Sequence, residues 1–248
     1  MHQFDLKNKT AIITGGAQGF GLDIAKRFLK SGTKVIIWDI DEDELQKATK
    51  EIKNPNLSYN IVDVSNFKNV KETIDGIIKF SNIDILINNA GINKIGEFDK
   101  IDATDFDNIQ KVNLKTPFLL CQAVIPYMKK NNWGRIVNIT SIWGSVTKEY
   151  RASYSSSKFA LDGMTVALAA EVASMGILAN SVAPGFIDTD LTRKVLGDKG
   201  IQEIKNIIPI KRLGKPNEVA SFISFLVSEE NTYISGQNIM IDGGFSRV

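Results

Sequence analysis

The sequence predicts one α/β domain, a doubly wound parallel sheet with helices on both faces, and three observations predict it. Short apolar runs alternate with longer segments of helical spacing along all 248 residues. A glycine-rich turn, Thr14-Gly-Gly-Ala-Gln-Gly-Phe-Gly21, lies directly between the first apolar run and the first helical segment. No repeat, low-complexity tract or linker divides the chain, and its length fits a single domain. Parallel strands joined by helices take right-handed crossovers, which cover both sheet faces.

Lys9 to Thr14 reads as the first strand and Leu22 to Lys30 as a helix with Ile24, Ala25, Phe28 and Leu29 on one face. Gly15, Gly19 and Gly21 are spaced G-x-x-x-G-x-G, not G-x-G-x-x-G. The physical task can be the same: a tight turn at Gly15, a pyrophosphate close to Gly19, helix packing at Gly21, and phosphates at the helix N-terminus. A turn that only connects two elements is the plainer alternative. Lys34 to Trp38 is the second strand and ends in Asp39, about 18 residues past the last glycine, where a carboxylate accepts hydrogen bonds from adenosine ribose hydroxyls. Asp39 repels a 2′-phosphate, Asp41 adds to that, and no Arg or Lys nearby reverses the sign, so NAD is expected over NADP. Either aspartate can cap the helix Asp41 to Ile52; Asp41 is the better placed, which leaves Asp39 free.

Leu57 to Val62 is the third strand, followed by Asp63-Val64, and Asn66 caps a helix to Phe80. Ile83 to Ile87, the fourth strand, ends in Asn88-Asn-Ala-Gly91, small residues and amides that let a ligand approach the backbone. Asp102 to Lys130 reads as one long helical region with Asn113 in its apolar pattern; a structural hydrogen bond and a catalytic role are both open for it. Arg135 to Thr140, the fifth strand, delivers Ser141 to the edge where open α/β sheets bind ligands. In the helix Tyr154 to Ser174, Tyr154 and Lys158 lie four apart on one face. An adjacent cation favours a phenolate, so Lys158 is expected to lower the Tyr154 pKa from the usual value of about 10. Leu178 to Ala183 is the sixth strand, before Pro184-Gly185. Residues 188–211 mix apolar and charged side chains and read as a helical lid, or else as a surface hairpin of helices. Lys215-Pro216 opens a helix to Val227, and Gln237 to Ile241 is the last strand.

Composition narrows the chemistry. A net charge of +2, with both signs scattered, offers no field for nucleic acid or an anionic membrane. No run approaches the roughly 18 apolar residues of a span and no leader is evident, so a cytoplasmic protein is expected. One cysteine, Cys121 in an apolar context, and one histidine, His2, argue against a zinc site, a Cys-His dyad or a Ser-His-Asp triad; no metal is expected.

Taken together, Thr14 to Gly21, Asp63-Val64, Asn88 to Gly91, Asn113, Ser141, Tyr154-Ser-Ser-Ser-Lys158 and Pro184-Gly185 stand in the order and spacing of a known family. Over essentially its whole length the chain resembles the short-chain dehydrogenase/reductases. The resemblance implies a Rossmann-like sheet of about seven strands and a catalytic tetrad of Asn113, Ser141, Tyr154 and Lys158. It implies that Tyr154 exchanges the proton while hydride passes to or from the nicotinamide, that Ser141 positions the substrate oxygen, and that Asn113 anchors a water near Lys158. For the cofactor it implies that Thr14, Gly15, Gln18, Gly19, Phe20 and Gly21 cradle the pyrophosphate and that Asp63 and Val64 border adenine. Asn89, Ala90 and Gly91 line the cofactor with Tyr154 and Lys158, and Pro184, Gly185, Ile187 and Thr189 cover its carboxamide end. It further implies a dimer or, as favoured here, a homotetramer packed through the helices near 102–130 and 154–174.

The substrate pocket is expected to be bounded by Asn93, Ser141, Trp143, Val146, Lys148, Arg151, Tyr154 and Phe186. Lys148 or Arg151 can pair a substrate anion, although loop cations are usually just solvated. A NAD-dependent dehydrogenase of a small polyol, sugar or hydroxy acid is the favoured reading. The alternative is a 3-oxoacyl-carrier-protein reductase, with Lys129 and Lys130 meeting an acidic carrier; such reductases usually take NADP and often have an Arg where this chain has Met175. A non-catalytic NAD-binding regulator ranks below both.

Overall fold

The computed structural model describes residues 4–247; His2 lies outside them. Seven strands, β1 (Thr10–Thr14), β2 (Lys34–Asp39), β3 (Leu57–Ile61), β4 (Ile85–Asn88), β5 (Gly134–Ile139), β6 (Ile177–Pro184) and β7 (Asn238–Ile241), form one parallel sheet in the order β3-β2-β1-β4-β5-β6-β7. The order reverses beside β1, which opens a crevice at the carboxyl ends of β1 and β4. Eight α-helices are described: α1 (Gly19–Lys30), α2 (Glu42–Ile52), α3 (Phe67–Ile78), α4 (Ala103–Gln110), α5 (Thr116–Lys130), α6 (Ala152–Val172), α7 (Asp190–Ile207) and α8 (Pro216–Leu226).

Strand periodicity explains the two layers. Ile13, Ile37, Ile85, Ile87 and Val137 face α1 and α8, where Ile24, Phe28, Val219 and Ile223 complete one core. Their neighbours Ile12, Trp38, Leu86 and Ile136 face the other way, against Val70, Ile74, Leu120, Val124 and Val172. As expected, Asp41 caps α2 by accepting from the Glu44 N–H (3.1 Å), and Asn66 caps α3 through the Asn69 N–H (3.3 Å).

Two elements differ from the sequence reading. The helix expected from Leu22 begins at Gly19, inside the glycine turn. The helical region 102–130 is interrupted by a π-helical segment, Lys111–Lys115, centred on Asn113. The 188–211 stretch is helical, but α7 is broken at Gly197, whose φ of 61° departs from the helix. Its flanks are tied down: Asp188 N–H donates to Gly214 O (2.8 Å), and Ile208 is buried.

Candidate active site

The glycine turn is shaped by what a side chain would hit. Gly15 takes φ 61°, and a Cβ there would press on Asn89 and Ala90; a Cβ at Gly21 would collide with the Gly15 carbonyl oxygen. Gly19 faces open space. Gln18 makes no side-chain cap, and no acid occupies the first turn of α1, so its leading N–H groups are open to an anion. Asp39 stands beside this turn, its carboxylate accepting from the N–H groups of Ala17 (3.2 Å), Ile40 (2.9 Å) and Asp41 (3.3 Å). Open donors for a pyrophosphate next to a fixed carboxylate for a ribose fit a nicotinamide dinucleotide.

Several residues expected beside the cofactor also hold the surrounding turns together. Buried Thr14 accepts from the N–H groups of Asn89 and Ala90 (3.0 Å each). The Asn89 amide donates to the carbonyls of Thr14 and Gly15 (2.9 Å each), holding the turn closed. Ile187 is buried and packs against Gly214, and the Thr189 hydroxyl caps α7 by accepting from Thr192 N–H (3.1 Å). Asp63 is exposed after β3 and turns onto Ser65 N–H (2.8 Å), while the Val64 carbonyl accepts from Thr116 Oγ1 (2.8 Å). Gln18 is exposed, Phe20 packs against the α1-side core, and Pro184-Gly185 leaves β6 beside β7.

The tetrad residues converge. Ser141 follows β5, buried, its Oγ accepting from Trp143 N–H (3.2 Å). It faces the Tyr154 phenol closely enough to lower its pKa, and α6 presents that phenol with Lys158 one turn on. Lys158 is buried; its Nζ donates to Ile139 O (2.7 Å) and lies 5.6 Å from the centre of the Tyr154 ring. A Cβ at Gly91 would lie 3.3 Å from Asn113 Oδ1 and 3.6 Å from Lys158 Nζ, so the turn after β4 borders both. The Asn113 amide is held by its neighbours: Oδ1 accepts from Ile92 N–H (2.8 Å), and Nδ2 donates to Ile92 O (2.9 Å) and Ser157 Oγ (3.0 Å). Both amide hydrogens are thereby used, while Oδ1 keeps a second lone pair.

Opposing effects act on Tyr154: burial of the phenol dominates and pushes its pKa up, countered by Ser141 and by the charge of Arg151. Burial pushes Lys158 itself down to about 8. At neutral pH it still carries its charge, 5.6 Å from the centre of the Tyr154 ring.

Around the hydroxyls, Trp143 meets Phe186 and Phe245 edge-on (6.0 Å each), and those two rings lie 5.3 Å apart. Lys148 and Arg151 both approach the Trp143 ring, at 5.7 and 5.9 Å. Phe245 was not singled out from sequence; its aromatic type just after the Gly243-Gly244 turn was the available signal. Val146 is half-buried and its N–H donates to Ile142 O (2.9 Å). Asn93 is exposed on the stretch after β4, outside the ring cluster. Among the described residues no group of His, Cys, Asp and Glu could hold a metal, and no helix is long and apolar enough to cross a membrane.

The family model described as enoyl-(acyl carrier protein) reductase matches residues 15–246. The chain is 39% identical to the 3-oxoacyl-(acyl-carrier-protein) reductase FabG of Rickettsia bellii, over 98% of this chain and 99% of that one. Its structure superposes on a provisionally assigned gluconate dehydrogenase from Agrobacterium tumefaciens with a TM-score of 0.95, at 29% identity and full coverage of both. A gluconate 5-dehydrogenase from Burkholderia cenocepacia, solved with NADP and tartrate, gives 0.92 at 29% identity, covering 99% of this chain and 98% of that one. A match of this extent, on a sheet of this order with Ser141, Tyr154 and Lys158 gathered beside the glycine-lined crevice, makes the chain a member of the short-chain dehydrogenase/reductase family.

Proposed function

We propose that the chain interconverts a secondary alcohol and its ketone, with Tyr154 carrying the proton. The observation that carries this reading is the junction of Ser141, Tyr154 and buried Lys158 at the carboxyl end of β5, next to Gly91. Bound along the glycine turn, a nicotinamide dinucleotide would supply or accept the hydride. In reduction, the Tyr154 hydroxyl donates its proton to the substrate oxygen while the Ser141 hydroxyl hydrogen-bonds that oxygen and fixes its position. The raised pKa of Tyr154 keeps it protonated and ready for that direction. Oxidation first requires the phenol to ionise, and the Lys158 ammonium, with the positive ring that an oxidised nicotinamide would bring, favours the phenolate.

For the substrate, the curated relatives support a 3-oxoacyl thioester better than a polyol or sugar. A small hydroxy acid is the second reading, favoured by the gluconate dehydrogenase neighbours, one of them solved with tartrate. Two observations weigh on the carrier-protein version. Lys129 and Lys130 end α5, whose 15 residues carry them about 22 Å from the Asn113 end, so they do not flank the pocket mouth. Asp39 supports NAD, although neighbours bind NADP and thioester reductases of this family usually take it. A homotetramer is supported by Phe106, Phe118, Phe159 and Val166, exposed large apolar residues on α4, α5 and α6.

The test is a screen of sugars, polyols, hydroxy acids and a 3-oxoacyl thioester with NAD(H) and NADP(H), read by the absorbance of the reduced nicotinamide. Turnover of a ketone or secondary alcohol is expected. Activity confined to the thioester selects the first substrate reading, and tight dinucleotide binding with no turnover of any member would count against an oxidoreductase.

A further inference from the structure

Arg151 is poorly accounted for by the fold. It immediately precedes α6, three residues before Tyr154, and is half-buried. Its Nε is shut off from solvent with no hydrogen-bond acceptor, and it makes no salt bridge among the described residues. Buried donors are ordinarily satisfied, and a desolvated guanidinium without an anion is costly. Burial accordingly pulls its pKa below the usual arginine value. A second cation, Lys148, approaches the same Trp143 ring. Two like charges converging on one indole, with no carboxylate paired to either, repel unless a negative group joins them. The other buried arginine also has an orphaned Nε, but its terminal nitrogens are satisfied: Arg135 donates to the carbonyls of Gly134 (2.8 Å), Gly176 and Asn231 (3.2 Å each) and stacks on Trp133, whereas Arg151 has only the Trp143 ring.

We propose that Arg151, with Lys148 beside it, seats a carboxylate of the substrate, so that the pocket takes keto or hydroxy acids in preference to their uncharged analogues. Trp143, Phe186 and Phe245 form the apolar wall that dehydrates the ion pair, and the fork of a guanidinium matches a carboxylate in two-point contact. Arg151 stands three residues before Tyr154, and its charge favours the ionised phenol. The inference rests on the ketone–alcohol reading and narrows its substrate class.

The test titrates the cofactor-loaded protein with 3-oxobutanoate, 4-oxopentanoate and 5-oxohexanoate and with the amide of each, following binding by calorimetry. At least one acid should bind ten-fold or more tightly than its amide. Arg151→Gln should remove that advantage, weakening the acid ten-fold or more and the amide only a few-fold, and Arg151→Lys should restore part of it. Equal binding of every acid–amide pair, failure of all the acids to bind, or an Arg151→Gln variant that weakens acid and amide alike would overturn the proposal. Turnover is read separately: a wild-type protein that binds the acids selectively yet reduces none would count against the ketone–alcohol reading and leave the carboxylate seat standing.

Discussion

Replacing Lys158 with Met keeps the length and apolar stem of the side chain and removes a buried ammonium. Burial lowers the Lys158 pKa from the usual 10.5 to about 8. At about 1.4 kcal/mol per pH unit, that fall corresponds to about 3 kcal/mol of stability withheld while the group is charged. Below pH 8 the lysine is protonated in both folded and unfolded chains, and the full cost is present. Between about 8 and 10.5 the folded chain has released the proton and the unfolded chain has not, so the wild type gains stability as pH rises. Against this, Lys158→Met orphans the Ile139 carbonyl, costing about 1–3 kcal/mol at every pH. The two terms nearly offset at pH 7, and the wild type should gain about 2 kcal/mol on the variant by pH 9.5, most of the full swing. Urea denaturation of both proteins at half-unit steps from pH 7 to 9.5 reads the difference directly. A stability gap that stays flat with pH, or one that moves towards the variant, would refute the burial argument.

Asp39→Ala removes a charge that would face a 2′-phosphate; at roughly 8 Å and an effective dielectric constant of about 20 the repulsion is about 2 kcal/mol, so preference for NADH over NADPH should drop roughly thirty-fold in paired titrations. Gly21→Ala drives a methyl into the Gly15 carbonyl oxygen and should lower stability by about 1–3 kcal/mol in thermal melts, with NADH affinity falling at least about ten-fold. Burial pushes the Cys121 thiol up to about 12, so a thiol reagent at pH 8 should label it only at the rate of unfolding; rapid labelling of the native chain would contradict its core position.

The sheet was legible because strand-forming runs, caps and glycine turns are local signals, and Asp41, Asn66 and the glycines act where the pattern places them. The grouping of Asn113, Ser141, Tyr154 and Lys158 was expected through the likeness to a family rather than through local chemistry, since a Tyr and a Lys four residues apart say nothing about what surrounds them. Side-chain direction was not legible. Thr14 and Asn89 sit in the cofactor turn yet spend their polar atoms holding it together, a choice made by the register of β1 against β4. The electrostatics of the pair also escaped, because helical spacing shows that Lys158 is near Tyr154 but not that its ammonium donates to the Ile139 carbonyl or that burial opposes both charges. Phe245 reaches Trp143 from the far end of the chain, a contact that no window of sequence contains.

The central claim is that the Tyr154 hydroxyl is the proton carrier, and turnover by Tyr154→Phe tests it most directly, with dinucleotide binding measured on the same preparation. The variant keeps the ring and loses only the oxygen; binding should persist while the rate falls by roughly 10²–10⁴-fold, the usual contribution of a positioned acid or base. A variant that binds the dinucleotide and still turns over within a few-fold of wild type would contradict the account.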